Sequence, residues 1–111
     1  TGDFVPLALD IGVSIEATSQ RREFVSHNLI GMIPGKAPDG AAVLLMAHWD
    51  HLGECGPPEA ADRICKGAVD NASGLAVMLE LSRRLKAGPP LDRDIYVLAT
   101  TAEETGLLGA R

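Results

Sequence analysis

The sequence contains no apolar run approaching the roughly 20 residues that a membrane-crossing helix requires. It also lacks a basic cluster: 10 lysines and arginines stand against 15 aspartates and glutamates, for a formal net charge of -5. Nucleic-acid binding needs clustered cations to neutralise phosphates, so that class is excluded. The pairs Arg21-Arg22 and Arg83-Arg84 read as solvated faces. Gly35-Lys36 is no phosphate loop, because the remaining glycines of that spacing are missing. Only 2 cysteines occur, Cys55 and Cys65. A thiolate zinc site would show a second cysteine or histidine pair at short spacing, which is absent. A disulfide and two free thiols both stay open, the disulfide being favoured in a secreted protein. Repeats, low-complexity tracts and linkers are missing as well. No signal peptide is visible, and the chain opens at Thr1 without an initiator methionine, as a processed or shortened chain would.

What is present suits a globular interior. Hydrophobic residues make up 46% and the mean hydropathy is +0.10. The 111 residues suffice for one small domain, residues 1–111, with a single core. Its central stretch is Ala41–Ala47, wholly apolar, which stops abruptly at His48 and Asp50. Such a run suits a strand buried on both faces. Two residues apart on a strand, His48 and Asp50 point to the same side. A metal-ligating imidazole commonly has its second nitrogen held by a carboxylate, so Asp50 is expected within hydrogen-bond distance of a His48 ring nitrogen.

Upstream, a first strand is expected from Leu7 to Ala17, where Ile11, Val13 and Ile15 alternate with Gly12, Ser14 and Glu16. A second runs from Glu23 to Ile33, after the polar turn at Thr18–Arg22. His27 lies within it without an acidic neighbour and reads as structural. Downstream of the central strand, the loop His51–Gly67 precedes a helix from Asp70 to Ala87. Leu75, Met78, Leu79, Ser82 and Leu85 share one face of that helix, and Gly88-Pro89-Pro90 stops it. Taken alone, Asp70 reads as an N-cap. A fourth strand, Asp94–Thr100, ends at Thr101-Ala102-Glu103-Glu104.

Two apolar strands flanking a helix make a βαβ unit, hence an α/β fold with a right-handed crossover. Ligands of open α/β sheets gather at the carboxyl ends of the parallel strands. His48, Asp50, Asp70, Glu103 and Glu104 therefore converge on one rim, where the helix dipole also favours negative charge. One imidazole with several carboxylates is a donor set that suits zinc.

The same residues carry a resemblance. His48–Gly53, Gly67–Gly74 and Thr101–Gly109 resemble the successive motifs of the co-catalytic zinc aminopeptidases, the metallopeptidase family of bacterial leucyl aminopeptidase and aminopeptidase Y. Asn28–Gly35 resembles the strand that precedes them. The resemblance implies part of a three-layer zinc-exopeptidase (phosphorylase/hydrolase-like) fold. Its mixed sheet would have the order 1-2-4-3, with one crossover helix and the Ala41–Ala47 strand at an edge. By position, His48 would ligate one zinc, Asp70 would bridge two, and Glu104 would ligate the second. Asp50 would orient His48 and Glu103 would be the general base. A cis peptide at Asp70-Asn71 is implied too. His51 matches a common family residue that is not a ligand, and is read as structural.

The family takes one further Asp and one further His from its C-terminal half, and neither His27 nor His51 matches the missing position. Both ends of the chain look cut, so it reads as the truncated N-terminal portion of a catalytic domain. Two zinc ions are expected in the full-length parent, which would hydrolyse N-terminal peptide bonds, and absent or weak zinc with no activity in this chain. The partners implied are a peptide substrate, no nucleic acid and no membrane, with self-association through exposed apolar surface. An extracytoplasmic location follows from the resemblance. The alternatives are a carboxypeptidase, a glutaminyl-cyclase-like zinc enzyme, or a non-catalytic binding ectodomain on the same fold. Asp70–Gly74 beside a Glu pair favours the aminopeptidase, and every ligand position within the span is filled, unlike in a binding relative.

Overall fold

In the computed structural model, which describes residues 3, 5–7, 9–37 and 40–111, three strands and one long helix carry the architecture. Strands β1 (Leu29–Ile33), β2 (Val43–His48) and β3 (Ile95–Thr100) form one mixed sheet in the order β1-β3-β2. β2 and β3 run parallel, with Leu45 opposite Val97, Ala47 opposite Ala99 and His48 opposite Thr100. β1 lies antiparallel on the other side of β3, from Leu29 opposite Ala99 to Ile33 opposite Ile95. A parallel pair needs a crossover rather than a hairpin, and helix α1 (Gly74–Ala87) supplies it.

Side chains alternate across a strand, so Leu45 and Ala47 of β2 face the same way as Val97 and Ala99 of β3. Met78 of α1 packs against Ala47 and Ala99, with Leu75, Leu45 and Val97 around them. Alanine at both strand positions leaves room for the long methionine side chain. On α1, Leu75, Met78, Ser82 and Leu85 turn inward at helical spacing, whereas Leu79, expected with them, stays exposed. The opposite sheet face carries Ile30, Met32, Leu44 and Met46, each more than half exposed. One helix covers one face, and the described residues hold two layers rather than three.

Two expectations about the N-terminal strands are corrected. Leu7–Ala17 contains no strand among its described residues. Its alternating Leu9, Ile11, Val13 and Ile15 all stand at least 66% exposed, so pairing would gain no burial on either face. An unsupported strand of that kind is marginal in water. The four-stranded order 1-2-4-3 thus loses its first member, and the remaining three strands keep their relative places. The second strand starts at Leu29 rather than Glu23. Its partner β3 ends at Thr100, opposite residue 28, so residues 23–27 have no ladder to join. Side chains take over there: the Ser26 and Thr101 hydroxyls meet at 2.6 Å.

Candidate metal centre

The candidate site forms where β2 and β3 end together. Just beyond β3, Ala102 adopts a left-handed φ of 53°, which turns the chain back across the end of β2. A left-handed alanine costs about 1–2 kcal/mol. Its carbonyl accepts the Leu108 N–H at 3.0 Å and the Thr105 hydroxyl at 3.1 Å, and these bonds hold the turn. Asn28, just before β1, clamps the same turn. Its Oδ1 accepts the Thr101 N–H at 3.0 Å and its Nδ2 donates to the Gly109 carbonyl at 2.6 Å. Asn28→Ala is expected to lower stability by about 1–2 kcal/mol, two modest hydrogen bonds, and to speed amide exchange over residues 101–109. Urea unfolding and hydrogen exchange would read the two effects.

Asp50 fastens this turn to β2. Its carboxylate accepts the backbone N–H of Glu103 at 3.1 Å and of Glu104 at 3.3 Å. The expected carboxylate–imidazole hydrogen bond is therefore corrected. The Asp50 carboxylate stands 3.7 Å from His48 Nδ1, beyond hydrogen-bond reach, and the Asp50 carbonyl receives that nitrogen instead, at 3.1 Å. The two residues lie close together as expected, although β2 ends at His48 and Asp50 follows it in the loop. The two amides arriving from the other strand claimed the carboxylate.

Asp70 enters from the turn Ala68–Ser73, where its backbone (φ -110, ψ 98) is non-helical and the Asp70-Asn71 peptide is cis, as the resemblance implied. It is not an N-cap. Asn71 Oδ1 accepts the Gly74 N–H at 3.1 Å, and a Cβ at Gly74 would overlap that amide, which explains the glycine. The Asp70 carboxylate is left to face His48, with Oδ1 at 3.0 Å from Nε2.

This geometry poses an electrostatic problem that a cation resolves. Nδ1 of His48 faces a carbonyl, so it must carry the hydrogen, and in the neutral ring Nε2 is a bare lone pair. That lone pair faces Asp70 Oδ1 at 3.0 Å and Glu103 Oε2 at 3.7 Å, acceptor against acceptor. Either a proton or a metal must lie between them. Ligating atoms of His48, Asp70 and Glu104 all lie within 4.8 Å of one another. Zinc binds such donors at about 2.0–2.2 Å, so this spread is close to what one ion spans and comfortable for a pair. The residues fit zinc.

Without metal, a proton fills that place at pH below the His48 pKa. Burial presses the His48 pKa down, but the Asp50 carbonyl, the Glu103 charge and the hydrogen bond and charge of Asp70 outweigh it, and the net shift is upward from 6.5. A folded pKa above the unfolded one stabilises fully below the unfolded value and is lost as pH rises through the folded value. In chelator, the urea midpoint of the chain should therefore fall as pH climbs from below 6.5 through the raised value. His48→Gln should erase that increment. A midpoint flat across this window would contradict it.

Two other histidines complete the picture. The His27 carbonyl accepts the Trp49 indole N–H at 3.1 Å, a structural role. His51, read from sequence as structural, has its Nδ1 at 2.6 Å from Glu104 Oε1. Only its place in the His48–Gly53 stretch hinted at this, because the course of the intervening loop decides where the ring points. Cys55 and Cys65 form a disulfide across that loop, which settles the alternative left open above.

Comparison with known proteins follows the same residues. The chain matches the description of Peptidase family M28 over residues 28–111. It is 38% identical over 91 residues to the alkaline phosphatase isozyme conversion protein of Escherichia coli (strain K12), covering 76% of this chain and 26% of that protein. Aminopeptidase YwaD of Bacillus subtilis (strain 168) is 39% identical over 101 residues, 86% of this chain and 19% of the relative. Leucine aminopeptidase 1 of Trichophyton equinum is 30% identical over 105 residues, 86% and 26% respectively. The chain thus spans 19% to 26% of the length of these relatives. No solved structure matches it significantly. With the match running from β1 through the last residue of the site-bearing turn, this chain belongs to peptidase family M28, a family of co-catalytic zinc peptidases.

Proposed function

We propose that the chain supplies the metal-binding and proton-transfer part of a zinc-dependent aminopeptidase acting on the N-terminal bond of peptides. The observation that carries this reading is the convergence of His48, Asp70 and Glu104, with His48 Nε2 3.0 Å from the Asp70 carboxylate. His48 would hold one zinc, Glu104 a second, and Asp70 both. Zinc bound there would acidify water and polarise the scissile carbonyl. Glu103 stands 3.7 Å from His48 Nε2 with its side chain 32% exposed. It would take a proton from water and pass it to the leaving amine. Asp50, holding both glutamate amides and the His48 ring, keeps the base and the ligands in one frame.

Catalytic zinc ordinarily takes three protein ligands and water. Each ion here would keep two, one of them shared. With the short coverage of the relatives, this supports reading residues 1–111 as part of a larger catalytic domain that completes the ligand sets. The disulfide favours an oxidising compartment outside the cytoplasm. No helix among the described residues is long and apolar enough to cross a membrane.

Equilibrium dialysis against zinc, followed by elemental analysis and an aminoacyl-nitroanilide assay, tests the proposal. Absent or weak zinc uptake without turnover is expected from this chain. Two tightly held ions with turnover would overturn the partial-site reading, and zinc uptake left unchanged by His48→Gln would overturn the metal reading. A second copy is the partner we expect in solution. The outer edge of β2 pairs with no strand among the described residues, and Leu44 and Met46 are exposed along it. Light scattering should show association rising with concentration; a monodisperse monomer at high concentration would refute it.

A further inference from the structure

We infer that His51 is a positioning residue that fixes the Glu104 carboxylate relative to Asp70, an inference that rests on the zinc reading above. The His51 side chain is 23% exposed and that of Glu104 17%, so their bond at 2.6 Å is sheltered from water. An ionised carboxylate only accepts, which makes Nδ1–H the donor and engages Oε1, leaving Oε2 available. The opposite side of the ring is closed by Gly67. A Cβ on Gly67 would stand 3.1 Å from His51 Cγ and Cδ2 and 3.2 Å from its Cβ, closer than such atoms ordinarily approach. Gly67 also has a left-handed φ of 63°, which a side chain would resist. Its carbonyl accepts the Ala72 N–H at 3.0 Å, and so begins the turn that presents Asp70.

The imidazole is therefore held between the turn bearing one carboxylate ligand and the carboxylate of another. No other described side chain hydrogen-bonds the Glu104 carboxylate; the Glu104 backbone N–H is held separately, by the Asp50 carboxylate. Residues that hold a ligating side chain in this way change metal affinity by about 10–100-fold when removed. His51 sets the distance between Asp70 and Glu104, and touches neither the water nor the scissile bond.

The test uses the 111-residue chain and zinc, with a chromophoric chelator as competitor and circular dichroism to confirm folding. His51→Phe keeps a ring against Gly67 but removes the donor. His51→Asn removes the ring and returns an N–H near the position of Nδ1. Zinc affinity should fall about 10-fold or more in His51→Phe and recover to within a few-fold in His51→Asn. Gly67→Ala, which displaces the ring without touching Glu104, should weaken zinc as well. Folded His51→Phe binding zinc as tightly as the parent would overturn the inference while leaving the metal reading intact. If the unsubstituted chain takes up no zinc, as its partial ligand sets allow, imidazole nitrogen NMR decides the inference. The His51 ring must then be in the Nδ1–H form, with a resonance that moves in Glu104→Gln; a ring indifferent to that change would overturn it.

Discussion

Asp70→Asn is expected to cut the zinc affinity of the chain by more than about 100-fold while leaving its fold intact. Removing a residue that merely holds a ligand costs about 10–100-fold, and the loss of a ligand placed for both ions should exceed that. Asparagine is the informative replacement. Its amide can donate to His48 Nε2, which now faces the Asp70 oxygen at 3.0 Å, and so relieves the clash of acceptors without a cation. Above the raised His48 pKa, where no proton bridges the two groups, the metal-free variant should be at least as stable as the parent, and this separates loss of the site from loss of the fold. Chelator competition gives the first quantity and urea unfolding the second. Unchanged zinc affinity in the folded variant would show that the ion sits elsewhere.

Opening the Cys55–Cys65 disulfide is the largest expected change in stability. The bridge joins residues 10 apart. Closing so short a loop stabilises by about 2.5–3 kcal/mol on chain-entropy grounds. The strands of the loop are otherwise pinned by few bonds, among them Cys55 N–H to the Arg63 carbonyl at 2.9 Å and Cys65 N–H to the Gly53 carbonyl at 2.8 Å. A Cys55→Ser, Cys65→Ser double variant should melt roughly 10 °C or more below the parent, at about 4–8 °C per kcal/mol for a domain of this size. It should also bind zinc less well, since His51 and Gly67 lie at the mouth of the released loop. A melting temperature within a degree or two of the parent would contradict the first expectation.

The site was more legible than the sheet that bears it, for a physical reason. His48 and Glu104 could be brought together from sequence because they follow apolar strands whose parallel carboxyl ends share one rim, and Asp70 because it opens the crossover between them. Of the core residues, Met78 followed from the helical period of 3.6, while Ala47 and Ala99 lie in the two unbroken apolar runs read as strands. Local spacing failed wherever a distant backbone group competed. Asp50 was close to His48 as its spacing required, yet the amides of Glu103 and Glu104 took its carboxylate. The alternation at Ile11, Val13 and Ile15 was real, but alternation becomes a strand only where a neighbouring edge and a covering layer exist. His51 was missed because its role depends on a loop whose path the disulfide and a left-handed glycine set.

The parallel pairing of β2 with β3 also fixes when the site can exist during folding. His51 and Glu104 are 53 residues apart, and His48 and Asp70 are 22 apart. A nucleus formed from local contacts would contain α1 before it contained any of these pairs, because closing long loops costs entropy that must be spent before contacts return it. The ligand cluster is then a late product of the folding reaction, largely absent from its transition state. Zinc should accordingly leave the refolding rate almost unchanged and act on the unfolding rate, lengthening the lifetime of the folded chain rather than hastening its formation.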